Sequence, residues 1–456
     1  MADARVEVGD PALEEEIRRV GGALAAAFPS AARHPLKALD SRAMDLAAAD
    51  EELRAALFRF VDVAPACRSL DDLAAHLSGF LDEVGDKPPP IAAAMRMADT
   101  GAGRKALGAA AAAGVRHMAH RFIVAETPHA ARHLVRRLWH QGVATSVDLL
   151  GEATVTAAEA DGYAARCADA LERLAAIHED LPHRLHLERD RHGPIPRPNL
   201  SVKVSALTPL LRPDAPERGM RDAGARLREL LRHARRLHAH LHIDMESLDS
   251  REAVTDLVLA LLADDEFRDG PSAGVVLQAY LRDSPQLAER FIGWAGATPR
   301  AAPLVVRLVK GAYWDHETVE ALQHGWPTPV FDVKADCDRN FEALTVRLLE
   351  ACRDGAPLRL AVASHNLRSV SHAIAVNRRL GGGDRDLELQ VLRGLGDDLQ
   401  DALATSGFRV RVYCPVGDLV AGMAYLVRRL LENTSNESFL HEQARGIPLE
   451  EMLRAP

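Results

Sequence analysis

Cysteine is scarce in this 456-residue chain, and Cys67, Cys167, Cys337, Cys352 and Cys414 lie far apart with no C-x-x-C pair. That spacing builds neither a zinc site nor a disulfide framework, and it fits a reducing cytoplasm. Positive charge is not in excess either. Lys and Arg total 56 against 65 Asp and Glu, and the net charge of -9 lacks the basic footprint that nucleic acid requires. No apolar run reaches membrane-spanning length, and ALGAAAAAGV is too short, which leaves at most a peripheral contact with a membrane surface. The opening MADARVEVGDPALEEE is acidic and has neither the basic start nor the apolar core of a signal peptide. No G-x-G-x-x-G opens a helix, so the usual mark of a dinucleotide-binding open sheet is missing.

What is present divides into two textures. Hydrophobic residues make up 47% of the chain, enough to bury a sizeable core. From about 12 to 135, segments such as ALEEEIRRVGGALAAAF and LDDLAAHLSGFLDEVG carry helical periodicity and good helix formers, broken at KPPP (87–90). From Gly142 onward short β-rich runs alternate with helices. The runs are 144–150, 199–205, 240–246, 274–280, 304–311, 359–365, 387–394 and 409–417. Eight β/α alternations over this length predict an α/β fold of the (β/α)8 TIM-barrel type, with a doubly wound sheet as the alternative. The expected division is a helical arm over 1–141, a barrel over 142–440 and a tail over 441–456. HGPIPRPN before Asn199 reads as a loop, and the histidines of RRLHAHLHIDMES read as solvated or packing residues.

In such a barrel chemistry sits at the C-terminal strand ends. Those ends deliver Asp148 and Glu152, Lys203, Asp244 and Glu246, Gln278 and Tyr280, Arg307 and Lys310, Ser364-His365-Asn366, Gln390 and Arg393, and Tyr413. A nearly complete ring of polar groups predicts an active-site mouth. Strand alternation puts Arg307 on one face with Val305 and Val309. Both faces of a barrel strand are covered, so this cation needs a carboxylate such as Asp244 or an electron-rich ligand. Lys203 fits either a Schiff-base lysine or an electrostatic clamp. His365 has no second His or Cys at ligand spacing, so no metal site is expected. A last helix over 419–433, LVAGMAYLVRRLLEN, sets Arg428 and Arg429 beside an apolar stripe. Two adjacent guanidiniums there suit an anionic partner, a carboxylate above all.

SVKVSAL, HIDMES, LQAY, VRLVKGAYWD, ASHN, and VYCPVG followed by AYLVRRLLEN resemble, in that order, the flavin-dependent proline dehydrogenases. The match is closest to the proline dehydrogenase portion of the bifunctional bacterial proline utilisation proteins. It covers about 144 to 440, while FRFVDVAPACRS and SVDLLGEAT look like the arm and linker before the barrel. No basic DNA-binding segment opens the chain, and GIPLEEMLRAP falls about where an aldehyde dehydrogenase module would begin, so a monofunctional protein or a fragment is expected.

The resemblance implies a distorted barrel holding FAD non-covalently, with the last helix across its mouth. Arg428, Arg429 and Lys203 would clamp the carboxylate of proline, and Tyr413, Tyr313 and Leu392 would pack against its ring. Met245, Gln278, Arg307, Val309, Lys310, Gly311, Ala312, Trp314, Ser364, His365, Asn366, Gln390 and Glu432 would contact FAD. Asp244 would orient Arg307 or Lys203, and Glu152 would pair with Arg428 as a gate. The implied reaction oxidises L-proline to Δ1-pyrroline-5-carboxylate in proline catabolism. A quinone would then reoxidise the flavin at the membrane surface, and an aldehyde dehydrogenase, fused or separate, would be a partner. The alternatives are oxidation of another proline-like cyclic amine and a Schiff-base lyase using Lys203.

Overall fold

The computed structural model describes residues 10–29, 51–97, 100–151, 154–418, 422 and 446–456. Its centre is a closed barrel of parallel strands. These are β1 (Val143–Leu149), β4 (Asn199–Lys203), β5 (His240–Asp244), β6 (Ser272–Gln278), β7 (Leu304–Val309), β8 (Leu358–Ala363), β9 (Glu388–Leu392) and β10 (Arg409–Val416). Each of the eight predicted runs overlaps one of them. The circle closes where β1 pairs with β10, Val143 opposite Val410 and Leu149 opposite Val416. Closure rules out the doubly wound alternative.

Helices cover the strands because the connections carry strong start signals. Thr156 and Glu159 form a reciprocal capping box at the helix Ala157–Glu179, satisfying amides that a helix start leaves open. Asn366 caps Leu367–Arg379 by accepting from the Ser369 amide. The outward strand faces and inward helix faces make one continuous apolar core. That core also takes in Leu13, Ile17, Val20 and Leu24 of the helix Pro11–Ala27, and Met452 and Leu453 near the C-terminus. Glu14 fastens the first helix to the barrel layer by a bidentate pair with Arg368, which also holds Glu342. The helices from Glu51–Val63 to Gly101–Phe122 have a smaller core of their own around Leu53, Phe60, Leu81 and Val115.

The inside of the barrel is polar. Ser146, Asn199, Ser201, His240, His242, Ser272, Arg307, Arg359, Glu388, Gln390, Arg409 and Arg411 are all buried. His240 and His242 therefore lie inside the barrel on β5, hydrogen-bonded to each other, with His240 also bonded to Ser272. They are not solvated. Gly274 makes room for them, since a Cβ there would sit 2.4 Å from Nδ1 of His242. The segment read as a loop before Asn199 holds the second strand of a small hairpin, β2 (Arg189–Asp190) with β3 (Gly193–Pro194). Asp190 of this hairpin accepts a bidentate pair from Arg359 and a further bond from Arg409, closing the N-terminal end of the barrel. A cavity of about 20 Å³ lies inside, room for a single water.

Candidate active site at the barrel mouth

The strands bring their polar residues together at the C-terminal end. Arg307 on β7 is 4% exposed. Its Nη1 donates to Oδ1 of Asp244 at 2.7 Å, and its Nε donates to Oε1 of Gln390 at 2.7 Å. Weaker bonds run to Ser146 and Ser201, whose small hydroxylic side chains leave space beneath the guanidinium. Its Cζ lies 5.3 Å from the centre of the Tyr413 ring, at cation–π distance. Tyr413 donates its hydroxyl to Oδ2 of Asp244 at 2.7 Å. Burial and the charges of Asp148 and Asp244 push its pKa well above the usual value, so the phenol keeps its proton.

Lys203 stands beside this group. Its Nζ lies 2.5 Å from Oδ1 of Asp148 and 3.9 Å from Oδ2 of Asp244. Burial alone would lower its pKa, but Asp148 and Asp244 outweigh that and raise it, so the ammonium is held charged. A Schiff-base lysine needs the opposite shift. The lyase alternative is therefore disfavoured, and the clamp reading fits. Asp148 is fully buried, and its Oδ2 has no hydrogen-bond partner among the described residues.

A second group of predicted residues lines a cavity of about 990 Å³ that opens next to this cluster. Its walls include Glu246, Tyr280, Lys310, Gly311, Ala312, Tyr313 and Trp314. Gly311 has φ +135, and a Cβ there would come within 2.3 Å of the Tyr280 ring, so the backbone approach requires glycine. Lys310 pairs with Asp338 at 2.5 Å, and Trp314 donates to the carbonyl of Phe331. Gln278 donates to the carbonyl of Glu246, while its buried Oε1 has no partner among the described residues. Val309 ends β7 at the rim, and Met245 packs against the main core. Burial raises the pKa of Glu246.

The ASHN motif is at the rim too, with structural duties. Ser364 accepts from the Asn366 amide, Asn366 caps its helix, and Nε2 of His365 accepts from the Leu392 amide at 2.9 Å. Glu152, Arg428, Arg429 and Glu432, and, Gly422 apart, the predicted helix over 419–433 that carries the last three, lie outside the described residues. Sequence reasoning named Asp148 as a strand end without seeing that it holds Lys203, and it missed Glu388 and Arg411. The signal for those two was the alternation in LELQVL and RVRVYC. Charged or polar residues at every second position on a strand covered on both faces must point into the barrel.

Residues 131–442 match the family described as proline dehydrogenase, and residues 14–122 match the proline utilization A N-terminal domain. The bifunctional protein PutA of Salmonella typhimurium is 31% identical over 350 residues, which is 75% of this chain and 25% of that protein. The proline dehydrogenase of Deinococcus radiodurans is 27% identical over 324 residues, 71% of this chain and 89% of its own. Among solved structures, proline utilization A from Bdellovibrio bacteriovorus superposes with a TM-score of 0.86 at 32% identity, covering 97% of this chain and 44% of that one. The chain thus spans a quarter of the bifunctional relative and under half of that solved chain.

Proposed function

Because this chain belongs to the proline dehydrogenase family, we propose that it oxidises L-proline across the ring C–N bond, giving Δ1-pyrroline-5-carboxylate. The observation that carries this reading is the Arg307–Asp244–Tyr413–Lys203 cluster at the C-terminal end of the barrel. The described residues fit a flavin. Gln278 offers a buried acceptor with no partner among them, Gly311 keeps a wall of the cavity at backbone thickness, and Arg307 offers a buried cation. FAD, when bound, supplies the acceptor for the hydride. Arg307, Gln278, Val309, Lys310, Gly311, Ala312, Trp314, Ser364, His365, Asn366, Gln390 and Met245 would hold it, and Glu432 would join them from the last helix.

Arg307 is fixed in a dry site before any substrate arrives, so it favours negative charge developing on an acceptor beside it without reorganising. Lys203 has no rotational freedom to spend, because Asp148 holds it. Within the described residues Lys203 and Arg307 are balanced by Asp148 and Asp244. A substrate carboxylate therefore calls for further cations, and Arg428 and Arg429 are the pair that would supply them. Tyr413, Tyr313 and Leu392 would bound the pyrrolidine ring. Glu152 would hold Arg428 between turnovers. A quinone as final acceptor, a transient approach to a membrane surface and hand-over of the product to an aldehyde dehydrogenase complete the proposal.

The test is spectroscopic. Purified protein reconstituted with FAD should show flavin absorbance that proline bleaches under anaerobic conditions. A preparation that takes up no FAD overturns the reading. A flavoprotein that proline leaves oxidised points to another cyclic amine, the second reading. The bulk of Tyr413 next to Arg307 disfavours a hydroxylated ring, which asks for a smaller residue there.

A further inference from the structure

We propose that Glu388 is a positioning residue for Arg307, acting through the amide of Gln390. The proposal rests on the function argued above. Glu388 and Gln390 lie two apart on β9 and both point into the barrel, Glu388 nearer the closed end. Gln390 accepts from Nε of Arg307 with Oε1 and donates from Nε2 to Oε1 of Glu388, each at 2.7 Å. A glutamine amide has one accepting end and one donating end, and turning it over exchanges them. If the amide turned, its NH2 would face a guanidinium that can only donate. A charged carboxylate below forbids the turn, because a carboxylate only accepts.

Glu388 is kept charged by its own surroundings. Burial would raise its pKa, but Arg411 and Arg409 drive it far below the usual range. Arg411 grips it through Nε at 2.8 Å and Nη2 at 3.0 Å, and anchors to the carbonyl of Thr145 by Nη1. Nε of Arg409 is 3.8 Å from its other oxygen, and Arg409 is itself bound to Asp190. A line of fixed polarity thus runs from the plugged end of the barrel to the guanidinium at the mouth. Asp244 holds Arg307 by one Nη and Gln390 holds it by Nε, so the two together set the plane of the guanidinium. Glu388 touches neither substrate nor cofactor in this scheme. It decides which end of Gln390 faces upward.

The experiment compares wild type, Glu388→Gln, Glu388→Asp, Gln390→Leu and the double variant Glu388→Gln/Gln390→Leu as FAD-loaded proteins. Three quantities are read: kcat and KM for proline, flavin content, and the midpoint potential of the bound flavin. A neutral amide at 388 no longer dictates the orientation of Gln390. Glu388→Gln should lower kcat about tenfold or more, the scale on which small misplacements act. KM should stay near the wild-type value, flavin content should hold, and the potential should become more negative as the cation loses its fixed place. The double variant should be no worse than Gln390→Leu alone, because both changes break one line.

A folded Glu388→Gln with wild-type kcat and potential overturns the proposal, as do effects that multiply in the double variant. If Glu388→Gln does not fold, Glu388→Asp carries the test. It keeps the charge for Arg411 and Arg409 but draws it away from Gln390, and a wild-type kcat and potential again overturn the idea. Gln390→Leu leaves the Glu388–Arg411 pair in place and must itself show the loss. Failure of the underlying reading is recorded separately, as wild-type flavin that proline does not reduce.

Discussion

Tyr413 and Arg307 share one carboxylate: Oδ2 of Asp244 accepts the phenol at 2.7 Å, and Oδ1 accepts the guanidinium at 2.7 Å. Asp244 therefore locks β10 to β7 across the mouth. Tyr413→Phe keeps the ring over Arg307 and removes only the hydroxyl, leaving Oδ2 with Lys203 at 3.9 Å. The expected cost is about 1.5–3 kcal/mol of stability, the worth of one hydrogen bond to a charged group. Thermal unfolding measures it. An unchanged Tm would mean that the bond is not formed in solution.

Lys203 and Asp148 form the second test. Lys203→Met strips the only cation within hydrogen-bond reach of a fully buried carboxylate among the described residues. Removing one partner of a buried pair costs about 3–5 kcal/mol, so urea unfolding should shift strongly or the variant should express as insoluble protein. The raised pKa adds a chemical expectation: borohydride in the presence of substrate leaves the mass of the wild-type protein unchanged. A trapped adduct on Lys203 would restore the lyase reading.

Buried histidines set a pH dependence. Burial lowers His178 to about 4 and, with Arg411 adding to it, His240 to about 3; burial and Arg368 lower His372 to about 3. In the unfolded chain each takes a proton near pH 6.5. Below that pH the unfolded state binds protons that the native state refuses, so stability falls as the solution is acidified. The loss should begin near pH 6.5 and grow down towards pH 4. Urea midpoints across that window check it, and a flat profile would contradict the burial of these rings.

Gly311 and Gly325 make a matched pair for the cavity wall. Both have positive φ, +135 and +67, but a Cβ at Gly311 would strike the Tyr280 ring whereas one at Gly325 would meet nothing within 4 Å. Gly325→Ala should cost about 1 kcal/mol, the backbone term alone. Gly311→Ala should cost more, about 1–3 kcal/mol for strain plus displacement of Tyr280, and should weaken FAD retention. Equal losses would place Gly311 away from any ligand.

Arg428→Met addresses the proposed carboxylate clamp. Loss of one charge-assisted bond is worth about 1.5–3 kcal/mol, so KM for proline should rise about 10- to 100-fold while FAD stays bound. Loss of FAD instead would assign the arginine to the cofactor.

The strands were legible because period-2 β-rich runs between helices have few other meanings, and their ends carry the polar residues that meet at the mouth. The Arg307–Asp244 pair was legible too, since a buried cation on β7 demanded a carboxylate. The polar filling of the barrel was not read. Alternation says that Glu388, Arg409 and Arg411 share a face but not which partner each meets, and Asp190 reaches Arg409 across 219 positions. The hairpin around Asp190 is too short to carry a periodic signal. Docking of the helix Pro11–Ala27 onto the barrel was equally silent, because an apolar stripe does not name the surface that covers it.

The hairpin plug makes the barrel a cup rather than a tube. With Asp190, Arg359 and Arg409 filling the floor, everything that reaches Arg307 arrives and leaves by one rim. Under the proposed oxidation of proline this would impose an order of traffic. The oxidised amine would then vacate the rim before an electron acceptor occupied it, and turnover would alternate between two half-reactions. Reciprocal plots at several acceptor concentrations should then be parallel lines rather than lines that converge.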